Sequence, residues 1–175
     1  MSNPFSKQNS RRHPHQSRRP LLIVGIVLVL GGFVGGLTAF LLNNHANTTS
    51  VTPSFTSVTP NGASVTQKGG WERISPESSD AVYAYADTIG GIAVTVSEQT
   101  LPETFLDNTA SKIADLAKSY NATNKITVDG AAIYIGTNAD GPQTVIFTKN
   151  QLLIMIKSEA VIQESDWTAY VQSLQ

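Results

Sequence analysis

Four kinds of hydrophobic pattern follow one another along this chain. The first is continuous. Residues 20–42, PLLIVGIVLVLGGFVGGLTAFLL, carry no charge, and Thr38 is their one polar side chain. As a helix rising 1.5 Å per residue they reach about 35 Å, more than the ~30 Å of a bilayer's hydrocarbon core. The pattern predicts a transmembrane helix over 20–42. A cleaved signal peptide fits less well, because its apolar region is shorter, about 7–15 residues, and ends at a small-residue cleavage site.

The second pattern is nearly featureless. Residues 43–70 hold ten Ser or Thr, no acid, and few large apolar residues beyond Phe55 and three valines. The unit SVTP recurs at Ser50 and Ser57 and returns as SVTQ at Ser64. So little apolar surface does not offset chain entropy, which predicts a disordered stalk with ends roughly 30 Å apart.

From Trp71 onward the periods are those of a folded domain. AVYAYADTI and IAVTVSEQ alternate and are joined by Gly90-Gly91, a two-residue hairpin turn needing positive φ. Between Asp107 and Tyr120 the period becomes helical, with Ala110, Ile113, Ala114, Ala117 and Tyr120 as its apolar stripe. Four more strands follow: KITV, AAIYIGT, QTVIFTK and QLLIMIKS, separated by Asp129-Gly130, NADGP and Asn150. The last two are the most apolar and are expected at the centre. A final helix, starting near Ser165, sets Trp167, Tyr170, Val171 and Leu174 on one stripe. The order ββαββββα predicts an α+β fold: an antiparallel sheet with both helices on one face and the other face open to solvent.

Charge orients this layout. Lys7, Arg11, Arg12, Arg18 and Arg19 precede the apolar run, no acid accompanies them, and the next cation is Lys68. The positive-inside rule then gives a basic cytoplasmic tail, 1–19, and an extracytoplasmic domain, 71–175. Thirteen acids against seven Lys or Arg give the part beyond Leu42 a net of −6, and the basic tail reads as a topology signal rather than a nucleic-acid site. Within the apolar run, Gly31, Gly32, Gly35 and Gly36 form two overlapping GxxxG pairs, a candidate face for homodimers.

The chain resembles two groups of proteins. WERISP at Trp71, VYAY at Val82, DTIGG at Asp87 and LPETF at Leu101 resemble short, single-pass membrane proteins of Saccharibacteria and related candidate-phyla bacteria. That similarity implies a membrane location and a shared fold, but no activity. The C-terminal strand–turn–strand–helix, from TVIFTKN to the final SLQ, is loosely similar to a domain of unknown function in anti-sigma-factor regulators. This chain differs from those in having only 19 residues before its apolar run.

Candidate chemistry is sparse. There is no cysteine, and His13, His15 and His45 all precede the domain, so the ordinary triads and His- or Cys-based metal sites lack their parts there. No cofactor or metal site is expected. NADG lacks the repeated acids of a calcium loop and reads as a turn. Glu98, Glu103 and Asp107 are near one another in sequence and offer the carboxylates for a hydrolase of envelope polymers; the alternative is acids on a loop between strand and helix. Tyr83 and Tyr85 share a strand face opposite Val82, Ala84 and Ala86. If the small residues face the helices, the tyrosines form an outward surface for a protein or glycan; the alternative is that they pack against Tyr134 or a stalk residue. The expected function is a membrane-anchored binding or interaction module without catalysis. The alternatives are that hydrolase, or a sensor or scaffold subunit of a membrane complex.

Overall fold

The computed structural model describes residues 50–175. The expected membrane helix and its glycines Gly31, Gly32, Gly35 and Gly36 lie outside the described residues. Among the described residues no helix is long and apolar enough to cross a membrane.

Seven antiparallel strands form one sheet: β1 (Glu72–Arg73), β2 (Val82–Ile89), β3 (Ile92–Thr100), β4 (Asn124–Val128), β5 (Ala131–Thr137), β6 (Gln143–Lys149) and β7 (Leu152–Ser158). Three helices accompany them: α1 (Glu103–Leu106), α2 (Thr109–Ser119) and α3 (Glu164–Ser173). The spatial order is β1-β2-β3-β7-β6-β5-β4, so the two most apolar strands do sit at the centre. The fold is α+β, with the six long strands where alternation placed them.

Turn chemistry sets the registers. Gly90 and Gly91 have φ of 58° and 84°, and Asp129 and Gly130 have 51° and 81°. Both residues of each pair lie in the left-handed region, as the right-handed twist of a tight hairpin requires. Asn150 and Gln151 do the same at 51° and 62°, an αL pair with no glycine. Asn138–Pro142 is a turn, with Gly141 N–H donating to the Asn138 carbonyl at 3.0 Å.

The two long helices lie on opposite faces of the sheet, which corrects the expectation that both cover one face. Ile113, Leu116 and Ala117 of α2 pack with Ile146, Leu153 and Met155. Trp167, Tyr170 and Val171 of α3 pack with Val145, Phe147, Ile154 and Ile156. The cause is legible in β6 and β7 themselves. VIF and LLIMI are apolar at consecutive positions, the mark of strands buried on both sides. The α2 stripe is also rotated from the expected one. Leu116 is buried and Ala110 exposed, since the larger side chain gains more from burial.

A second correction concerns residues 50–70, expected as the outer part of the stalk. They run as an ordered strap over the α3 face. Val58 and Val65 join its core, and Phe55 and Trp71 pack against it. Backbone bonds fasten the strap. Val51 N–H donates to Trp71 O at 3.0 Å, Asn61 N–H to Ser173 O at 2.7 Å, and Thr59 exchanges two bonds with Gln175. Its polar composition hides these contacts, because two valines seven residues apart and one Phe suffice to seat it.

Candidate functional site

The strap meets β2, β3 and α3 over a group of ionisable side chains, and alternation explains how they come together. Tyr83, Tyr85 and Asp87 recur at period two on β2. Cross-strand register places Tyr83 opposite Glu98, Tyr85 opposite Val96 and Asp87 opposite Val94. All of these side chains point to the α3 face, where Tyr170 of α3 and Lys68 of the 3-10 turn Val65–Lys68 reach the same group.

Asp87 is the hub. Its Oδ1 accepts the Lys68 ammonium and, at 2.6 Å, the Thr88 amide, while its Oδ2 accepts the Tyr170 hydroxyl at 2.9 Å. Asp87 is buried, whereas Lys68 is partly open to solvent. Burial lowers the Lys68 pKa. A hollow of about 240 Å³ beside this pair is lined by Lys68, Ala86, Asp87 and Thr88.

Glu98 is the more unusual member. It is 0 % exposed, directly beneath the strap. Its Oε2 accepts the Val58 amide at 3.2 Å, and its Oε1 is buried without a partner. Burial pushes its carboxyl up to about 8, against the smaller opposing pull of the Val58 N–H. The Tyr85 hydroxyl is likewise buried without a partner. Burial raises the pKa of both Tyr85 and Tyr170, and the neighbouring Glu98 carboxyl adds to the effect.

The residues singled out from sequence divide sharply here. Tyr83 and Tyr85 do not face solvent: they are 7 % and 0 % exposed. Tyr83 packs edge-on against Phe55, with ring centroids 5.5 Å apart, and Tyr85 against Trp71 at 4.7 Å. The outward surface is thus corrected, and the alternative of packing against a stalk residue holds for Tyr83 through Phe55. The three acids near in sequence do not converge either. Glu98 is enclosed on the α3 face. Glu103 and Asp107 are exposed around α1, whose Phe105 packs into the core of the other face. Among the described residues no cluster of His, Asp or Glu is placed to hold a metal ion.

Sequence reasoning missed Lys68, Asp87 and Tyr170 as partners. The one signal available was an acid at the third position of an otherwise aromatic strand face, Tyr83-x-Tyr85-x-Asp87. The arrangement gathers Lys68, Asp87, Glu98, Tyr85 and Tyr170 in a largely enclosed place. No family model, curated protein or solved structure matches the chain.

Proposed function

We propose that this protein is a single-pass, membrane-anchored module whose α+β domain faces outward and binds a protein or glycan near the membrane. One observation carries the reading. An uncharged run of 23 residues has five cations before it and none after it until Lys68. That asymmetry favours a spanning helix with the N-terminus inside.

The ordered strap refines how the domain is carried. Residues 43–49 are the only ones between the apolar run and the first described residue, and seven residues extend at most about 25 Å. The domain is thus held close to the headgroups rather than at the end of a long spacer. The separation of Glu98 from Glu103 and Asp107 favours binding over the carboxylate hydrolase. The GxxxG pairs supply a route to homodimers through the helix.

The absence of cysteine makes the topology directly testable. Ser6→Cys and Asp115→Cys, each in the full chain, are treated on intact cells with a membrane-impermeant maleimide. Labelling of Asp115→Cys but not of Ser6→Cys is the expected result. Equal labelling of both, or of Ser6→Cys alone, overturns the topology. Binding is then tested with the detergent-solubilised full chain against cell-envelope glycan fragments and against crosslinked surface proteins. Absence of any saturable partner in both sets counts against the module reading.

A further inference from the structure

We infer that residues 51–70 form a proton-operated cover, closed over the aromatic face of β2 while Glu98 carries a proton and loosened when Glu98 ionises. The inference goes beyond the binding role and does not depend on the membrane topology.

The geometry supplies each part of such a device. The strap's one described contact with Glu98 is the bond from Val58 N–H, at the middle of the segment. The carboxyl has no exposure, and its second oxygen has no partner. A buried neutral carboxyl with one bond is tolerable, whereas a buried carboxylate needs several donors or a cation. Among the described residues the Tyr85 hydroxyl, buried without a partner, is the one uncommitted donor beside Glu98, and a single further hydrogen bond does not offset a buried charge. Directly opposite on its two neighbouring strands are Tyr83 and Ile154. From α3 comes Tyr170, whose proton is committed to Asp87.

The nearby cations are also committed. Lys68 binds Asp87. Arg73 on β1 donates to the carbonyls of Pro76, Glu77 and Ser79 and to Ser75 Oγ. Lys149 on β6 donates to the Val171 carbonyl. Ionised Glu98 is therefore stabilised most simply by admitting water, and the strap is the layer that stands between it and solvent. Beneath that layer lie Tyr83, Tyr85 and Trp71, the strip that loosening exposes.

The sign of the response follows from linkage. The closed state holds the carboxyl up to about 8, while the open state returns it toward an ordinary value near 4.5. Between those values only the closed state carries the proton, so opening rises about tenfold per pH unit and levels off above about pH 8. The described residues contain no histidine, so no imidazole titrates there in the same window.

The test is amide hydrogen exchange on the full chain in detergent micelles, corrected for intrinsic rates. From about pH 5.5 to about pH 7.5 the opening constant at Val58 and its strap neighbours is expected to rise about 100-fold. Strands β6 and β7 should remain more protected than the strap throughout. Glu98→Gln should make strap opening independent of pH. A flat profile in the wild type, a slope that survives in Glu98→Gln, or a strap that opens only together with β6 and β7 overturns the inference. Should Glu98→Gln fail to fold, the carbon shift of the wild-type Glu98 carboxyl decides. Titration at pH 7 or above, in step with strap shifts, supports the cover, and titration below pH 7 overturns it.

Discussion

The indole N–H of Trp167 donates to Gln143 Oε1 at 2.9 Å, and the same oxygen accepts the Ile162 amide at 2.8 Å. One side chain on β6 thus fixes both α3 and the segment that leads into it. Trp167 is the largest fully buried side chain, so its N–H has no access to water. Gln143→Leu keeps the volume but leaves two buried donors unpaired. A loss of about 2–4 kcal/mol is expected, from roughly 1–3 kcal/mol for each unpaired donor with partial relaxation. Urea unfolding followed by Trp fluorescence measures it, and a change below about 0.5 kcal/mol, the range of an ordinary surface substitution, contradicts this account.

The strap makes a graded prediction along its own repeat. Val51, Val58 and Val65 occupy equivalent positions in three similar units, yet Val58 and Val65 are buried and Val51 is 37 % exposed. Val58→Ala and Val65→Ala should each cost about 1–3 kcal/mol, and Val51→Ala less than about 0.5 kcal/mol. If residues 51–70 were a free spacer, all three changes would be neutral. Equilibrium unfolding of the three variants separates the two cases.

These valines also show where the sequence was readable and where it was not. Strand and turn positions were legible because alternation and paired αL residues are local signals. AAIYIGT and QTVIFTK are strands over just those residues. Which strand face meets which helix is not local. Tyr83 and Tyr85 alternate with Val82 and Ala84 as cleanly as a half-exposed strand would, yet all four are buried. The Tyr face is closed by a segment whose composition reads as spacer. The partners of Asp87 and Glu98 are not legible, because they come from α3 and from the strap, far away in sequence.

Gly136 on β5 tests the close approach of the α2 exit to the sheet. Its backbone has no special conformation, so the need for glycine is one of space. A Cβ there would lie 2.9 Å from the backbone N and Cα of Ala122 and from the Asn121 carbonyl oxygen. All three are main-chain atoms and cannot rotate aside. Gly136→Ala should therefore cost about 1–3 kcal/mol through displacement of the Asn121–Ala122 loop. Gly62→Ala is a control of another kind: it has open space but a φ of 74°, so its smaller cost comes from backbone strain alone. Thermal unfolding that ranks Gly62→Ala as the more damaging would show that the loop moves freely.

Asp87 makes the sharpest test of the ionisable group, because its three donors come from three elements. Removing the carboxylate strands the Tyr170 hydroxyl inside the core, whereas Lys68 is open enough to turn to solvent. Asp87→Ala should cost about 1–3 kcal/mol, as leaving a buried hydroxyl unpaired typically does. Tyr170→Phe removes only one donor and leaves Asp87 two, so about 1–2 kcal/mol is expected. Combining them should recover part of the loss, since the stranded hydroxyl is then gone, and a coupling of about 1 kcal/mol or more is expected for residues in one network. Strict additivity in a double-mutant cycle of unfolding free energies would mean that Tyr170 and Asp87 act separately. Lys68→Met should cost at least as much as Asp87→Ala, because it leaves the buried Asp87 carboxylate without its cation, with only the Thr88 and Tyr170 donors.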